Sequence, residues 1–282
     1  MKWKPPAAIW WVAPAVAVLA AMSIYPLLFL VLAGFHSSSG EWTLHNFSRM
    51  ASDRMLGEAF LHTGLFVAVA LACELVFGLL LAILIDSVRG GRGFLRTAMM
   101  APMLLPPVVA AVIWRLIYNP QFGLLNGTIR ALGGDPSALT WTNGEGGALW
   151  SVIAVDVWEW TPFVFLLISA ALQSLPQEAL EAARVDGASR WRVFLDIELP
   201  LLKPVLLLAA MLRGMDLIRV FDQVFILTQG GPGFSTETIS LYIYRTAFRF
   251  FDFGYAAAMS LVLLVIATMF ARGLVRQLRT QS

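Results

Sequence analysis

The chain has 282 residues, 59% of them hydrophobic and only 13% charged, where ordinary soluble domains carry roughly 25% charged residues. That composition excludes a soluble globular protein. One cysteine, Cys73, excludes an internal disulfide framework and a cysteine metal cluster; the net charge of +2 says little by itself, and no nucleic-acid partner is expected.

Six stretches reach the ~20 apolar residues that cross ~30 Å of hydrocarbon as a helix. Backbone groups cannot stay unpaired in lipid and strand-like alternation is absent, so helices must be the spanning element. The expected fold class is all-α, a polytopic membrane protein with six transmembrane helices.

The first stretch runs from about Ala8 to Phe35, with no Lys, Arg, Asp or Glu between Lys4 and Glu41. Its apolar run exceeds the ~7–15 residues of a cleaved signal core, so it reads as a retained span. The second, about Ala59 to Ile85, contains one acid, Glu74, which reads as a helix-packing polar group. A short glycine-rich basic loop around Ser87–Phe94 leads to the third, Thr97 to Ile117, with Pro102, Pro106, Pro107 and Arg115. Prolines 106 and 107, and Pro162 further on, should break or kink their helices.

A long segment from Tyr118 to Gly147 carries turn signals around Asn119-Pro120, Gly133–Pro136 and Asn143-Gly144, flanking a short helix at Leu124–Leu132. The fourth stretch is about Ala148 to Leu172, the fifth Leu201 to Leu227 and the sixth Gly254 to Val275. Trp10, Trp11, Trp114, Tyr118, Trp150 and Tyr255 fall near span ends, as interfacial anchors do. By this reading residues 1–57 hold the N-terminal tail, first span and outer loop. Residues 58–282 hold a five-helix core with a cytoplasmic loop at 173–200.

Basic residues set the orientation. With the N-terminus inside, the inner segments hold Lys2, Lys4, Arg89, Arg92, Arg96, Arg184, Arg190, Arg192, Lys203, Arg272, Arg276 and Arg279, twelve of the twenty. The outer segments hold Arg49, Arg54, Arg130, Arg245 and Arg249. The positive-inside bias places both termini in the cytoplasm.

One inner loop stands out. From Pro176 to Pro200 a polar, charge-rich block interrupts the apolar chain. Pro176 can open a helix, with Glu178 and Glu181 near its positive end and Ala179, Ala182 and Ala183 as strong helix formers without bulk. Gly187 ends or bends that helix, and Ala188-Ser189 starts a second one bearing Trp191, Phe194 and Leu195. An amphipathic connector lying on the membrane is one reading of such a block.

The spacing favours another. Glu181-Ala182-Ala183, Asp186-Gly187, then, after nine intervening residues, Ile197-x-Leu199-Pro200 resembles the signature of inner-membrane subunits of binding-protein-dependent ABC importers. Phe221–Gly233, with its Leu-Thr-x-Gly-Gly-Pro core, and Ser235–Thr238 resemble the carbohydrate branch, similar to maltose, lactose and glycerol-phosphate permeases. The resemblance covers about residues 60–275 and implies the type I importer permease fold in its compact six-span form.

It further implies a permease without its own ATPase, set in the bacterial inner (plasma) membrane. No cofactor would be held by this chain; ATP-Mg would sit on the partner subunit. The implied partners are a second homologous permease subunit, an ATPase dimer docked on the Glu181–Leu199 loop, and an external substrate-binding protein touching Gly230–Thr238.

Ionisable groups at membrane depth cost several kcal/mol and face a cavity or a partner. Asp156 and Glu159 lie in the fourth span beside Trp158, Trp160 and Phe163, while Arg213, Asp216, Arg219 and Asp222 fall at i, i+3, i+6, i+9 in the fifth, one slowly turning helical stripe. Pairs Arg213–Asp216 and Arg219–Asp222 could be purely structural. The same groups suit a translocation site, with carboxylates accepting from hydroxyls and aromatic faces covering a sugar's C–H surface. The resemblance places the family's sugar-contacting positions near Asp156, Glu159, Trp160, Phe163, Arg213, Asp216 and Arg219. A saccharide or polyol cargo is expected, a singly anionic derivative being the main variant.

No Gly-x4-Gly-Lys-Ser/Thr phosphate loop exists, and His36, His45 and His62 lack catalytic or metal spacing. The rival class, a proton-coupled secondary sugar carrier, usually carries an internal inverted repeat, and none is found.

Overall fold

The computed structural model describes residues 8–36, 40–88, 90–137, 139–144 and 146–279. Lys2, Lys4, Arg89 and the side chains of Trp10, Arg184 and Arg279 lie outside what it describes. The regular structure of the described residues is helical, with one isolated antiparallel bridge between His36 and Trp42. The chain divides into two units, one formed by residues up to Asp53 with Ile243–Ile266, the other by Arg54–Tyr242 with the segment from Ala267 on.

In the first unit α1 (Ala8–Phe35) presents Trp11, Leu19, Met22, Tyr25 and Phe29 outward, as a lipid-facing helix must. The short α2 (His45–Met50) is tied to its end by Asn46, whose amide donates to the Gly34 carbonyl at 3.0 Å. A Cβ on Gly34 would lie 3.2 Å from the Ala258 nitrogen, so a bare backbone here permits close helix approach. Tyr255, expected as an interfacial anchor, is instead fully buried. Its hydroxyl donates to Asp53 at 2.7 Å and its ring lies 4.0 Å under the Arg49 guanidinium, which also pairs with Asp252.

The second unit is organised around α3 (Arg54–Ser87), α7 (Ala148–Gln173) and α10 (Leu199–Ile218). Ala82, Ile85, Val164, Phe165, Ile168, Leu202 and Ala209 form its core. Gly78 on α3 meets α7 so closely that a Cβ would stand 2.7 Å from Val164 Cγ1, and Gly214 on α10 lies against the Phe270 ring. Lipid tails are as apolar as leucine, so this small-residue packing, rather than hydrophobic burial, selects the helix neighbours.

Four helices are long and apolar enough to cross a membrane: α1, α3, α7 and α13 (Phe253–Arg279). The other two expected spans differ, each for a physical reason. The third is divided into α4 (Arg92–Met100), a 3₁₀ turn at Pro102–Leu104 and α5 (Pro107–Ile117). Leu105 and Pro106 each precede a proline, which bars them from the α region, and both are extended. Pro107 then opens α5 at its first turn. Pro162, by contrast, sits inside an uninterrupted α7.

The fifth carries Lys203, Arg213 and Asp216, and α10 ends at Ile218. The chain turns through Arg219–Phe221, and Asp222 opens the separate α11 (Asp222–Leu227), placing its charge at the favourable end of a new helix dipole. The expected stripe of four charges on one helix is therefore split between two.

The short α6 (Leu124–Ala131) falls where the turn signals set it. Tyr118 is not a lipid anchor: it is buried, donating to the Ser151 carbonyl at 3.0 Å and stacking on Trp141. The segment after α11 folds inward before α12 (Ile239–Phe248): Thr236, Glu237 and Thr238 are fully buried. Thr236 donates to the Gly231 carbonyl, Thr238 to that of Val220, and Thr63 accepts from the Ile239 amide.

Candidate functional site: a charged cavity and an exposed helical protrusion

Helices α3, α7 and α10 bring Glu74, Asp156 and Arg213 together. Arg213, only 2% exposed, donates from Nε to Glu74 Oε2 at 2.7 Å and from Nη2 to Glu74 Oε1 at 2.8 Å. The same Nη2 reaches Asp156 Oδ2 at 2.8 Å. Its guanidinium carbon stands 4.6 Å over the Trp160 ring, and Asp216 Oδ2 lies 3.9 Å from Nη1. A planar fork with five donors can satisfy two carboxylates and one ring at once; an ammonium could not.

Glu159, fully buried one turn along α7, accepts from Gln223 Nε2 at 2.7 Å. Its second oxygen and Gln223 Oε1 have no hydrogen-bond partner among the described residues. Such buried acceptors are costly unless a donor visits them.

A cavity of about 280 Å³ opens beside this network. Asp156, Trp160, Arg213, Asp216 and Arg219 line it, together with Asp222, Gln223 and Pro107. Of the residues expected at a substrate path, Glu159 lies behind that wall, and Phe163 turns toward the core cluster, its ring edge-on to Trp160. Of the expected ion pairs, Arg213–Asp216 is long at 3.9 Å, whereas Arg219 pairs with Asp216 at 2.9 Å rather than with Asp222. Glu74 and Gln223 were not singled out for the site by sequence reasoning. A lone acid in an apolar span was the available signal for Glu74; nothing local marks Gln223.

The block at 176–200 forms a second feature. Helix α8 (Gln177–Val185) ends in a Schellman turn: the Ala188 amide donates to the Ala183 carbonyl at 3.0 Å, and Gly187 takes φ +79°, which favours glycine. Ser189 Oγ caps α9 (Arg190–Val193) by accepting from the Arg192 amide. A π-helical turn at Phe194–Glu198 then runs directly into α10, so the expected second helix is continuous with the next span. Leu175, Leu180 and Val193 form a small buried nucleus under the block, with Ala183, Ala188 and Ile197 against it. Glu181, Ala182, Asp186, Gly187 and Pro200 are exposed, while Leu199 is half-buried. Trp191 and Phe194 pack ring to ring, 5.7 Å apart, but Trp191 remains exposed.

Comparison with known proteins identifies the family. A family model described as "Binding-protein-dependent transport system inner membrane component" matches residues 74–280. The trehalose/maltose transport system permease protein MalF of Thermococcus litoralis is 38% identical over 227 residues, 80% of this chain and 76% of that protein. The sulfoquinovosyl glycerol transport system permease protein SmoG of Agrobacterium fabrum is 30% identical over 276 residues, 95% of this chain and 89% of that one. In fold, the chain resembles a chain of a bacterial ABC transporter involved in import of the acidic polysaccharide alginate. The TM-score is 0.86 at 21% identity, covering 97% of this chain and 96% of that one.

Proposed function

The chain belongs to the inner-membrane components of binding-protein-dependent transport systems, and from that premise we propose that it forms one half of the pathway by which an ATP-driven importer moves a saccharide, polyol or sugar derivative inward. It is a permease subunit, and hydrolysis of ATP is the work of a separate chain. Relatives named for trehalose/maltose and for sulfoquinovosyl glycerol support a carbohydrate cargo.

The observation that carries the reading is the exposed surface of Glu181, Ala182, Asp186 and Gly187 on a block built into the chain at both ends. Leu175, Leu180 and Val193 seat it, and Phe194–Glu198 joins it to α10 without a loop. At ~1.5 Å per helical residue, α10 carries a displacement of Ile197 about 24 Å to Arg213, beside the cavity. A nucleotide-driven push on the block therefore reaches the charge network as a helix movement, with α7 entering the same block from its other end.

The basic residues Arg92, Arg96, Arg190, Arg192, Arg272 and Arg276 support a cytoplasmic block and cytoplasmic termini. Docked on it would be an ATPase dimer holding ATP-Mg, beside a second, similar permease; a binding protein would deliver cargo outside. Asp156, Glu159, Trp160, Phe163, Arg213, Asp216 and Arg219 are proposed to form or support the cargo path.

The test is transport by the whole complex in proteoliposomes. Gly187→Trp and Glu181→Lys should leave the permease inserted yet abolish ATP-dependent uptake, either by releasing the ATPase or by uncoupling its turnover. Wild-type uptake by both variants would sink the proposal.

A further inference from the structure

Resting on the cargo-path reading above, we infer that this subunit's half of the path admits neutral, hydroxyl-rich cargo and turns anions away, with Asp222 as the discriminating side chain. Both guanidiniums at the cavity are already engaged. Arg213 is buried and bonded to Glu74 and Asp156, and Arg219 donates to Asp216 at 2.9 Å and to the Met215 carbonyl at 3.1 Å. Against these two cations stand Glu74, Asp156, Glu159, Asp216 and Asp222, of which only Glu74 forms a bidentate pair. Asp222 is exposed on the cavity wall and enters no ion pair among the described residues.

A carboxylate, phosphate or sulfonate entering this space meets Asp216 and Asp222, and the exposed cation beside them, Arg219, is already shared with Asp216. The surrounding apolar helices lower the effective dielectric, so repulsion acts over several ångströms. A hydroxyl meets the opposite situation. Asp216 and Asp222, exposed carboxylates on the cavity wall, can accept from it. The Trp160 ring, held flat by Arg213 on one face, offers apolar cover for sugar C–H groups. Donor-rich neutral cargo completes the set; an anion adds one more acceptor.

Saturation-transfer NMR on the assembled transporter in nanodiscs, without the binding protein, reads weak binding at this site. The probes are maltose and trehalose against glucuronate and glucose 6-phosphate. Wild type should bind the neutral sugars, with the anions at least about tenfold weaker. Asp222→Asn, an exposed and isosteric change, should raise anion binding about tenfold while neutral-sugar binding falls, since one charged acceptor is lost. Anions binding wild type as well as neutral sugars do, or anion binding unmoved by Asp222→Asn, overturns the inference and leaves the transport function standing. Binding of neither class takes down the cargo-path reading itself.

Discussion

A guanidinium at 2% exposure among membrane helices persists only because every neighbour contributes to holding it. Removing one partner of a buried ion pair strands the other, at a cost of about 3–5 kcal/mol. Arg213→Ala should therefore sharply lower the thermal midpoint of the purified complex, since both Glu74 and Asp156 are left buried and unpaired. Arg213→Lys should recover only part, because an ammonium cannot make the bidentate bond to Glu74. Asp216 lies on the exposed side of the network, paired with an Arg219 that is itself 64% exposed, so its interaction is worth no more than about 1 kcal/mol. Asp216→Asn should consequently leave the midpoint nearly unchanged while lowering uptake about tenfold, with the binding protein's affinity for its ligand unaltered. Stability loss without an uptake defect would make Asp216 a structural residue. Sequence alone named Arg213, Asp156 and Asp216, but not the pairing: Glu74 lies 139 positions away, beyond any local pattern.

Among the helices, the α3–α7 crossing sets the frame that holds the cavity. Gly78 lets the two backbones approach, and a Cβ there would come within 3.0 Å of the Phe165 nitrogen, main chain that cannot rotate away. Gly78→Leu should force the helices apart and give an aggregated or protease-sensitive complex on size-exclusion chromatography. Gly64→Leu on the same helix, where the space is open, should elute as wild type. The expected helix boundaries hold where composition dictates them, at α1, α6 and α7. They shift where a local rule and the apolar run disagree: the two prolines at 106 and 107 divide one span, and the charge at Asp222 starts a new helix where apolar residues alone predicted continuation.

At the scale of the molecule, the buried Thr236–Thr238 leaves less for an external partner than the sequence suggested, since only part of the Gly230–Ser235 stretch remains exposed. A binding protein should protect Gly233 and its neighbours, not Thr236–Thr238, from a soluble labelling reagent. Helix α1, apolar and largely exposed from Trp11 to Phe29, is suited to lipid or to a second subunit. Mass spectrometry of the isolated complex should find a second permease chain and two copies of an ATPase. An active uniporter consisting of this chain as a monomer would contradict the assembly.

Composition and motif spacing by themselves determined the all-helical membrane class and the membership of the permease family. Both depend on properties summed along the chain: apolar length against hydrocarbon thickness, and a loop pattern whose residues are neighbours in sequence. The tertiary structure alone decided which charges serve structure and which remain available. Arg213 and Asp216 look alike in sequence, three residues apart on one helix. Packing of α3 and α7 buries the first between two carboxylates and leaves the second half-exposed on a cavity. The difference lies in desolvation, which depends on what surrounds a side chain in space and so has no local trace in the sequence.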